Sequence, residues 1–259
     1  MLSRKTKIVC SQGPAVDNDE MVEKLIIAGM NIARFNFSHG NHEEHKIRIE
    51  RVKKCAKKLQ APVALLLDTK GPEIRTGLVK EKKTVTIHKD DTVLITVDDT
   101  PTQEATKNEP AKLSLNWQDF AKRATQGVRV LIADGLLELE VQHSDGTTVQ
   151  CNAKNTAEIG SKKNVNIIGL HAGLPIITDT DKADIAFGVK MDVDFIAASF
   201  VSFSSEITEI RDYLDSLGSK ARIIAKIENE EGLDNIQEII AVADGIMVAR
   251  GDLGVQLPT

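Results

Sequence analysis

The sequence predicts an α/β protein in which βα units build a parallel sheet, with an all-β segment inserted among them. Three observations lead to this fold class. Short apolar runs alternate with amphipathic helical patterns in both flanks of the chain. The middle of the chain instead carries β-branched runs separated by Asp-rich turns. The length of 259 residues suffices for one large domain or two smaller ones.

The first flank opens with an apolar run that predicts a strand over 5–10. Met21, Leu25 and Ala28 recur at helical spacing and predict a helix over 17–28. The remaining elements of this flank are a strand over 31–37, a helix over 43–59 and a strand over 62–67. The second flank has predicted strands over 194–200, 222–227 and 245–248, and predicted helices over 206–217 and 232–242. Six strands therefore alternate with helices, as in repeated βαβ units.

The segment between the flanks breaks this alternation. Its β-branched runs predict strands over 84–87, 92–97, 128–132, 136–141 and 147–151. Asp145 and Gly146 are typical of a hairpin turn, and 117–123 predicts one short helix. We therefore predict three segments: an α/β domain begins over 1–71, a small all-β barrel domain is inserted over 72–167, and the α/β domain resumes over 168–259.

Composition excludes several function classes. The 33 Lys and Arg against 38 Asp and Glu give a net charge of −5, and only 3% of residues are aromatic, so we expect no nucleic-acid partner. No apolar run approaches the roughly 18 residues that a membrane span needs, and the first residues lack a secretory signal. Cys10, Cys55 and Cys151 are scattered, as expected for reduced thiols. We therefore expect a cytoplasmic protein without a membrane partner.

Four predicted strands end in polar or charged residues. Their runs are 32–38, 65–70, 223–228 and 247–252. Residues two apart on a strand point the same way, so Arg34, Asn36 and Ser38 share one side. Lys226 and Glu228 share a side for the same reason. A single polar strand end needs no function, but four together indicate a site, because active sites of parallel barrels lie at the carboxyl ends of the strands.

Two of these strand ends carry residues suited to phosphoryl transfer. Glu228 and Asp252 can hold a divalent metal against phosphate and carboxylate oxygens. Lys226 can neutralise charge on the transferring group. Because neither His nor Cys accompanies the two carboxylates, Mg²⁺ or Mn²⁺ is favoured over zinc.

Five segments resemble the signature segments of pyruvate kinases and follow one another in that family's order. They are KTKIVC at 5–10, NIARFNFSHG at 31–40, LDTKGPEIRTG at 67–77, IAKIEN at 224–229 and DGIMVARGDLG at 244–254. The resemblance spans the whole chain and is specific, since five long motifs do not align in order by chance. It implies an α/β fold of the (β/α)8 TIM-barrel type, with a mobile β-rich lid domain inserted after the third strand.

The resemblance implies phosphoryl transfer from phosphoenolpyruvate to ADP, giving pyruvate and ATP in glycolysis. It implies that Lys226 stabilises the transferring phosphoryl group and that Arg34 contacts phosphate and nucleotide. Glu228 and Asp252 correspond to the magnesium ligands. Gly251 and Asp252 correspond to residues whose backbone N–H groups bind the substrate carboxylate.

The resemblance also implies a potassium site. Its ligands correspond to Asn36, Ser38, Asp68 and the carbonyl of Thr69. Glu73 is the acidic residue that accompanies potassium dependence in the family. Arg75 and Lys163 correspond to nucleotide contacts from the lid. Because family members are homo-oligomers, a tetramer is implied for the full-length protein.

The chain departs from the family pattern in a few places. Ser11 and Gln12 replace Thr and Ile, Ile167 and Ile168 replace Leu and Pro, Ser202 replaces Arg, and Gln256 replaces Glu.

The length outside the insert provides about five βα units plus a strand. We therefore expect a truncated pyruvate kinase whose barrel is incomplete, with about six strands. We expect that this chain alone is not a competent enzyme. Two alternatives stay open: a non-catalytic fragment that binds nucleotide or pairs with subunits, and another magnesium-dependent barrel enzyme acting on pyruvate or an enolate.

The run HEEH at 42–45 places two histidines three residues apart on a predicted helix. The zinc-protease motif needs histidines four residues apart. We therefore interpret this run as a solvated helix face.

Overall fold

The computed structural model describes residues 5–80, 83–170 and 172–256. Within these residues the chain forms two compact units. The first unit contains the chain up to Pro72 together with Pro175–Arg250. The second unit contains Glu73–Leu174 together with the chain from Gly251 onward. Residues 1 and 259, the outer limits of the predicted segments, lie outside the described residues.

The first unit begins with alternating strands and helices. These are β1 (Ile8–Ser11), α1 (Asp19–Ala28), β2 (Met30–Asn36), α2 (His42–Lys58) and β3 (Ala64–Asp68). Asn18 and Asn41 cap the two helices, because their side chains accept hydrogen bonds from the backbone N–H groups of Met21 and Glu44. Gly29 ends α1 in the left-handed conformation, at φ 115°, which a residue with a side chain rarely adopts. All five predicted elements of this flank are therefore confirmed, with small shifts of their ends.

The second unit is almost entirely β-structure. Its elements are β4 (Ile74–Arg75), β5 (Thr84–Ile87), β6 (Thr92–Thr96), β7 (Ala111–Ser114), α3 (Phe120–Arg123), β8 (Arg129–Ile132), β9 (Leu137–Ser144), β10 (Thr148–Ala153), β11 (Ala157–Gly160) and β12 (Asn164–Ile168). One sheet has the order β4-β12-β8-β9-β10-β6-β7, and β5 pairs with β11. Its core includes Ile95, Leu139 and Val149, which alternate with polar positions. The prediction of an all-β insertion with one short helix is confirmed.

The hairpin between β9 and β10 turns at the predicted position. Asp145 donates its backbone N–H to the carbonyl of Thr148, and Gly146 adopts φ 87°. The Asp145 carboxylate accepts the hydroxyl and N–H of Thr147 and the N–H of Thr148. These hydrogen bonds lower the pKa of Asp145 to about 2.

The first unit resumes after the insertion. Its further elements are α4 (Asp179–Lys190), β13 (Phe195–Ala198), α5 (Ser204–Ser216), β14 (Arg222–Ile227), α6 (Glu230–Asp234), α7 (Ile236–Val242), β15 (Gly245–Val248) and α8 (Arg250–Gln256), which belongs to the second unit from Gly251 onward. The strands form one parallel sheet in the order β1-β2-β3-β13-β14-β15. β3 pairs directly with β13, although the insertion separates them in the sequence. The α/β class with about six strands is therefore confirmed for the described part of the chain, where β1 and β15 form the sheet edges.

Two helices differ from the sequence prediction. The sequence pattern does not predict α4, because the buried face of this helix includes Asp181, Asp184 and Gly188 and so lacks apolar periodicity. The Thr178–Asp181 capping box was the readable signal for its start. The helix predicted over 232–242 is divided into α6 and α7 at Asn235, whose side chain donates to the carbonyl of Ser202.

No helix among the described residues has the length and apolarity that crossing a membrane requires. All three cysteines are free. Burial raises the pKa of Cys151 to about 12, so its thiol stays protonated at neutral pH.

The HEEH run does not form a uniformly solvated face. His42 is half exposed and pairs with Asp184 across a distance of 2.5 Å. The expectation is wrong for His45, which is 2% exposed and stacks on Phe37 with ring centroids 4.0 Å apart. Its Nε2 lies 2.8 Å from the carbonyl of His39, and since a carbonyl only accepts, Nε2 is the donor. Burial lowers the pKa of His45, because the charged ring would lose its hydration.

The lowered pKa of His45 predicts a pH dependence of stability. Between the folded pKa and the ordinary value of about 6.5, the unfolded chain binds more protons than the folded chain. The free energy of unfolding should therefore fall as the pH drops through this window. Replacing His45 by Phe keeps an aromatic ring on Phe37 and should remove this slope.

The check is urea unfolding between about pH 5 and 7.5. His143→Phe, at an exposed position of β9, is the matched control and should keep the native slope. Equal slopes for the native chain and His45→Phe would contradict the assignment.

Candidate functional site

The predicted strand ends lie together at one edge of the parallel sheet. Asp68 is the last residue of β3, and it pairs with Asn36 of β2 on one side and with Ala197 of β13 on the other. β14 pairs with β13 and ends at Ile227. Parallel pairing therefore brings the carboxyl ends of these four strands side by side.

Four charged side chains of alternating sign follow one another across this edge. Arg34 Nε lies 2.6 Å from Asp68 Oδ2. Asp68 Oδ1 lies 3.0 Å from Lys226 Nζ, which lies 3.1 Å from Glu228 Oε1. We call Arg34, Asp68, Lys226 and Glu228 the charge series. The predicted common orientation of Lys226 and Glu228 is confirmed, since their side chains form an ion pair.

The charge series is largely removed from water. Asp68 and Glu228 are 1% and 2% exposed, and Lys226 is 8% exposed. Buried charges are tolerated when each has an opposite charge and hydrogen bonds nearby. Asp68 meets this condition with two cations, and Glu228 with Lys226 and the backbone N–H of Phe200, 2.7 Å away. The arrangement holds a lysine ammonium at a fixed place beside two carboxylates.

Sequence reasoning missed one member of this site. Ser199 directly follows β13 and is 2% exposed. Lys226 Nζ donates to its hydroxyl oxygen over 2.7 Å, and the hydroxyl donates to the carbonyl of Thr69 over 2.7 Å. The signal was available, because Ser199 is a polar residue at the end of an apolar strand, like the residues that were identified.

The residues of the predicted potassium site surround the ends of β2 and β3. Asn36 Oδ1 accepts the backbone N–H of Ser38 over 3.0 Å. The carbonyl of Asp68 accepts the N–H of Phe37 over 2.9 Å. Thr69 is 2% exposed, and its N–H donates to the carbonyl of Ala197. The structure thus brings Asn36, Ser38, Asp68 and Thr69 to adjacent strand ends, and all four offer oxygen atoms.

The other predicted site residues belong to the second unit. Gly251 and Asp252 lie in the first turn of α8. Arg75 ends β4 and pairs with Glu73, while its Nη1 donates to the carbonyl of Lys162. Lys163 is exposed just before β12. The pairing of Asp252 with Glu228 in one metal site stays a prediction.

Three of the positions that depart from the family pattern are accommodated by local hydrogen bonds. Gln12 is buried, and its Nε2 donates to the carbonyl of Cys10 over 3.1 Å. Ser11 Oγ accepts from Arg34 Nη1 over 2.6 Å. Ser202 Oγ accepts from Asn229 Nδ2 over 3.0 Å, at the start of α6. Nothing in the structure explains why Gln256 replaces Glu.

Fold and site together define a protein of the parallel (β/α)-barrel class, with the charge series at the carboxyl ends of its strands. The chain belongs to the pyruvate kinase family, because the family model described as "Pyruvate kinase, barrel domain" matches residues 3–259.

Individual relatives agree with this assignment. The chain is 48% identical over 257 residues to a pyruvate kinase of Staphylococcus epidermidis and 47% identical to one of Staphylococcus aureus. Each match covers 98% of this chain and 43% of the relative. A crystal structure of a pyruvate kinase from Cryptosporidium parvum superimposes with a TM-score of 0.93 at 38% identity, covering 98% of this chain and 52% of that one. The chain thus spans about half the length of the relatives that it matches.

The charge series predicts that Asp68 is essential for stability. Asp68→Asn removes the negative charge that Arg34 and Lys226 share and leaves buried cations under-compensated. We expect the free energy of unfolding to fall by about 3–5 kcal/mol. Urea unfolding checks this, with Asp212→Asn at an exposed position of α5 as the control, expected to change by less than about 0.5 kcal/mol. Similar stabilities of the two variants would contradict the dependence on the charge series.

Proposed function

We propose that this chain carries the phosphoryl-transfer site of a pyruvate kinase. In that reaction the phosphorus–oxygen bond of phosphoenolpyruvate breaks, a bond to the β-phosphate of ADP forms, and the enolate of pyruvate left behind is protonated. The observation that carries the proposal is the Lys226 ammonium, buried between Asp68 and Glu228 at the carboxyl ends of the strands. Family membership supports the choice of substrates.

Lys226 and Arg34 are the proposed cations for the transferring group. Phosphoryl transfer depends mainly on positioning and on fixed charges that meet the charge of the transition state. Lys226 is fixed by Asp68 and Glu228, and is therefore already oriented before substrate binds. Arg34 is more exposed than Lys226 and is proposed to contact phosphate of the substrate and nucleotide.

Oxygen ligands suit the two metal ions that we propose. The residues for Mg²⁺ or Mn²⁺ are Glu228 and Asp252, and carboxylate oxygens are the ligands that these hard cations prefer. Among the described residues no three His, Cys, Asp or Glu side chains cluster as a metal site, so substrate oxygens would complete the coordination. The residues for K⁺ are Asn36, Ser38, Asp68 and the carbonyl of Thr69. The bound cations would supply positive charge for phosphate and carboxylate oxygens.

The remaining binding roles are proposed from family membership. Gly251 and Asp252 would offer backbone N–H groups to the carboxylate of phosphoenolpyruvate. Arg75 and Lys163 would contact ADP, both being cations of the second unit. We also propose a cytoplasmic location and assembly into homo-oligomers, on the same ground of family membership.

The proposal is tested by phosphoenolpyruvate-dependent formation of ATP from ADP, measured with the chain alone and with a full-length pyruvate kinase that contains these residues. We expect turnover only in the full-length protein, and turnover there with both substrates supports the proposal. Binding of nucleotide without turnover in either form would favour a non-catalytic module, and hetero-assembly with a longer family member would support that reading. Conversion of pyruvate or another enolate precursor without ADP would favour a different magnesium-dependent barrel enzyme.

Replacing Lys226 by Met should affect the chemical step. The ammonium acts mainly on charge that develops in the transition state, so kcat should fall by about 100- to 1,000-fold while KM changes little. Steady-state kinetics measure both constants. Lys220→Met, at an exposed position, is the control and should retain native values. A raised KM with unchanged kcat would contradict the role.

Potassium should activate the enzyme. Glu73 retains the acidic residue that accompanies potassium dependence in the family, and the proposed site contains only oxygen donors. Replacing K⁺ by tetramethylammonium at constant ionic strength should lower the rate. A rate indifferent to this exchange would argue against Asn36, Ser38, Asp68 and Thr69 as the potassium site.

A further inference from the structure

Ser199 connects two parts of the site that the proposed function treats separately. Its hydroxyl lies 2.7 Å from Lys226 Nζ and 2.7 Å from the carbonyl oxygen of Thr69. Lys226 is the proposed cation for the phosphoryl group, and the Thr69 carbonyl is a proposed potassium ligand. A single buried hydroxyl therefore bridges the two.

Counting hydrogens fixes the direction of these bonds. A lysine ammonium only donates, so the Ser199 oxygen accepts from Lys226. The hydroxyl has one hydrogen, and it is directed to the Thr69 carbonyl at 2.7 Å rather than to Asp68 Oδ1 at 3.4 Å. The ammonium has three hydrogens and three acceptors: Asp68, Glu228 and Ser199. Its orientation is therefore fully determined.

The backbone holds Ser199 firmly in this place. Phe200 adopts φ 60°, which is rare for a residue with a side chain, and its N–H donates to Glu228. Ser199 donates its own N–H to Thr69 Oγ1 over 3.2 Å. Gly71 lies so close that a Cβ there would be 2.9 Å from the Cβ of Ser199. The close approach of two strand-end segments thus sets the position of the hydroxyl.

We propose that Ser199 is a positioning residue that couples the Lys226 ammonium to the Thr69 carbonyl. Its hydroxyl orients one N–H bond of the ammonium and, through its donated hydrogen, orients the carbonyl toward the proposed cation site. The naming of the cation as potassium rests on the proposed function, but the hydrogen bonds do not. Loss of the hydroxyl therefore changes both the orientation of the Lys226 ammonium and the affinity of the site for the cation.

The test compares Ser199→Thr with Ser199→Val, because these side chains have nearly the same volume and differ in the hydroxyl. Two measurements need no substrate: hydrogen exchange of the Lys226 ammonium by ¹⁵N NMR, and the dissociation constant of Tl⁺, a probe of potassium sites, by ²⁰⁵Tl NMR. Ser144→Ala, which removes a hydroxyl bound to the carbonyl of Ala121, is the control.

We expect Ser199→Val to accelerate ammonium exchange and weaken Tl⁺ binding by about 10-fold each, while Ser199→Thr and Ser144→Ala stay close to native. Equal values for the Thr and Val variants, a change in one measurement without the other, or no Tl⁺ binding by the native protein would overturn the coupling. Phosphoenolpyruvate turnover is assayed in parallel on a full-length pyruvate kinase that contains these residues. Its absence there would count against the proposed function alone.

Discussion

The site depends on one buried carboxylate that two cations share. Asp68 directs one oxygen to Arg34 and the other to Lys226. Removing either partner would leave a charge in a medium that solvates it poorly, which costs several kcal/mol. The ends of β2, β3 and β14 must therefore keep their relative positions. Charge pairing and sheet register support each other, and the ammonium of Lys226 is oriented without help from a ligand.

The backbone near Asp68 is held by a second buried carboxylate. Asp181 accepts the N–H of Gly71 through one oxygen, and the N–H and hydroxyl of Thr178 through the other. Gly71 and Thr178 lie close to Pro72 and Pro175, where the chain leaves and re-enters the first unit. A long insertion after β3 is thereby accommodated without loosening the strand end that carries Asp68 and Thr69.

The local pattern of apolar residues predicted most of the fold. It failed for particular elements, and each failure has a physical reason. Apolar periodicity found α1 and α5, whose buried residues are aliphatic, and α2, where Ile49 and Val52 are buried. It failed for α4, because that helix buries carboxylates that are paired by tertiary contacts. It also failed for the short strands β4, β11 and β12, which pair with partners far away in the sequence, and for β7, which pairs with the preceding strand β6. His45 was misjudged, since helical position alone does not reveal the aromatic ring of Phe37 that covers it.

The sequence by itself determined the α/β class, the β insertion, and the strand ends that carry Arg34, Asp68, Lys226 and Glu228. These follow from spacing along the chain, because side-chain direction on a strand repeats every two residues. Only the tertiary structure decided which charges pair, and that Ser199 joins Lys226 to Thr69. The atoms in these contacts come from four strands widely separated in the sequence, and hydrogen bonds form only within about 3 Å. Their partners are therefore set by how the strands pack side by side.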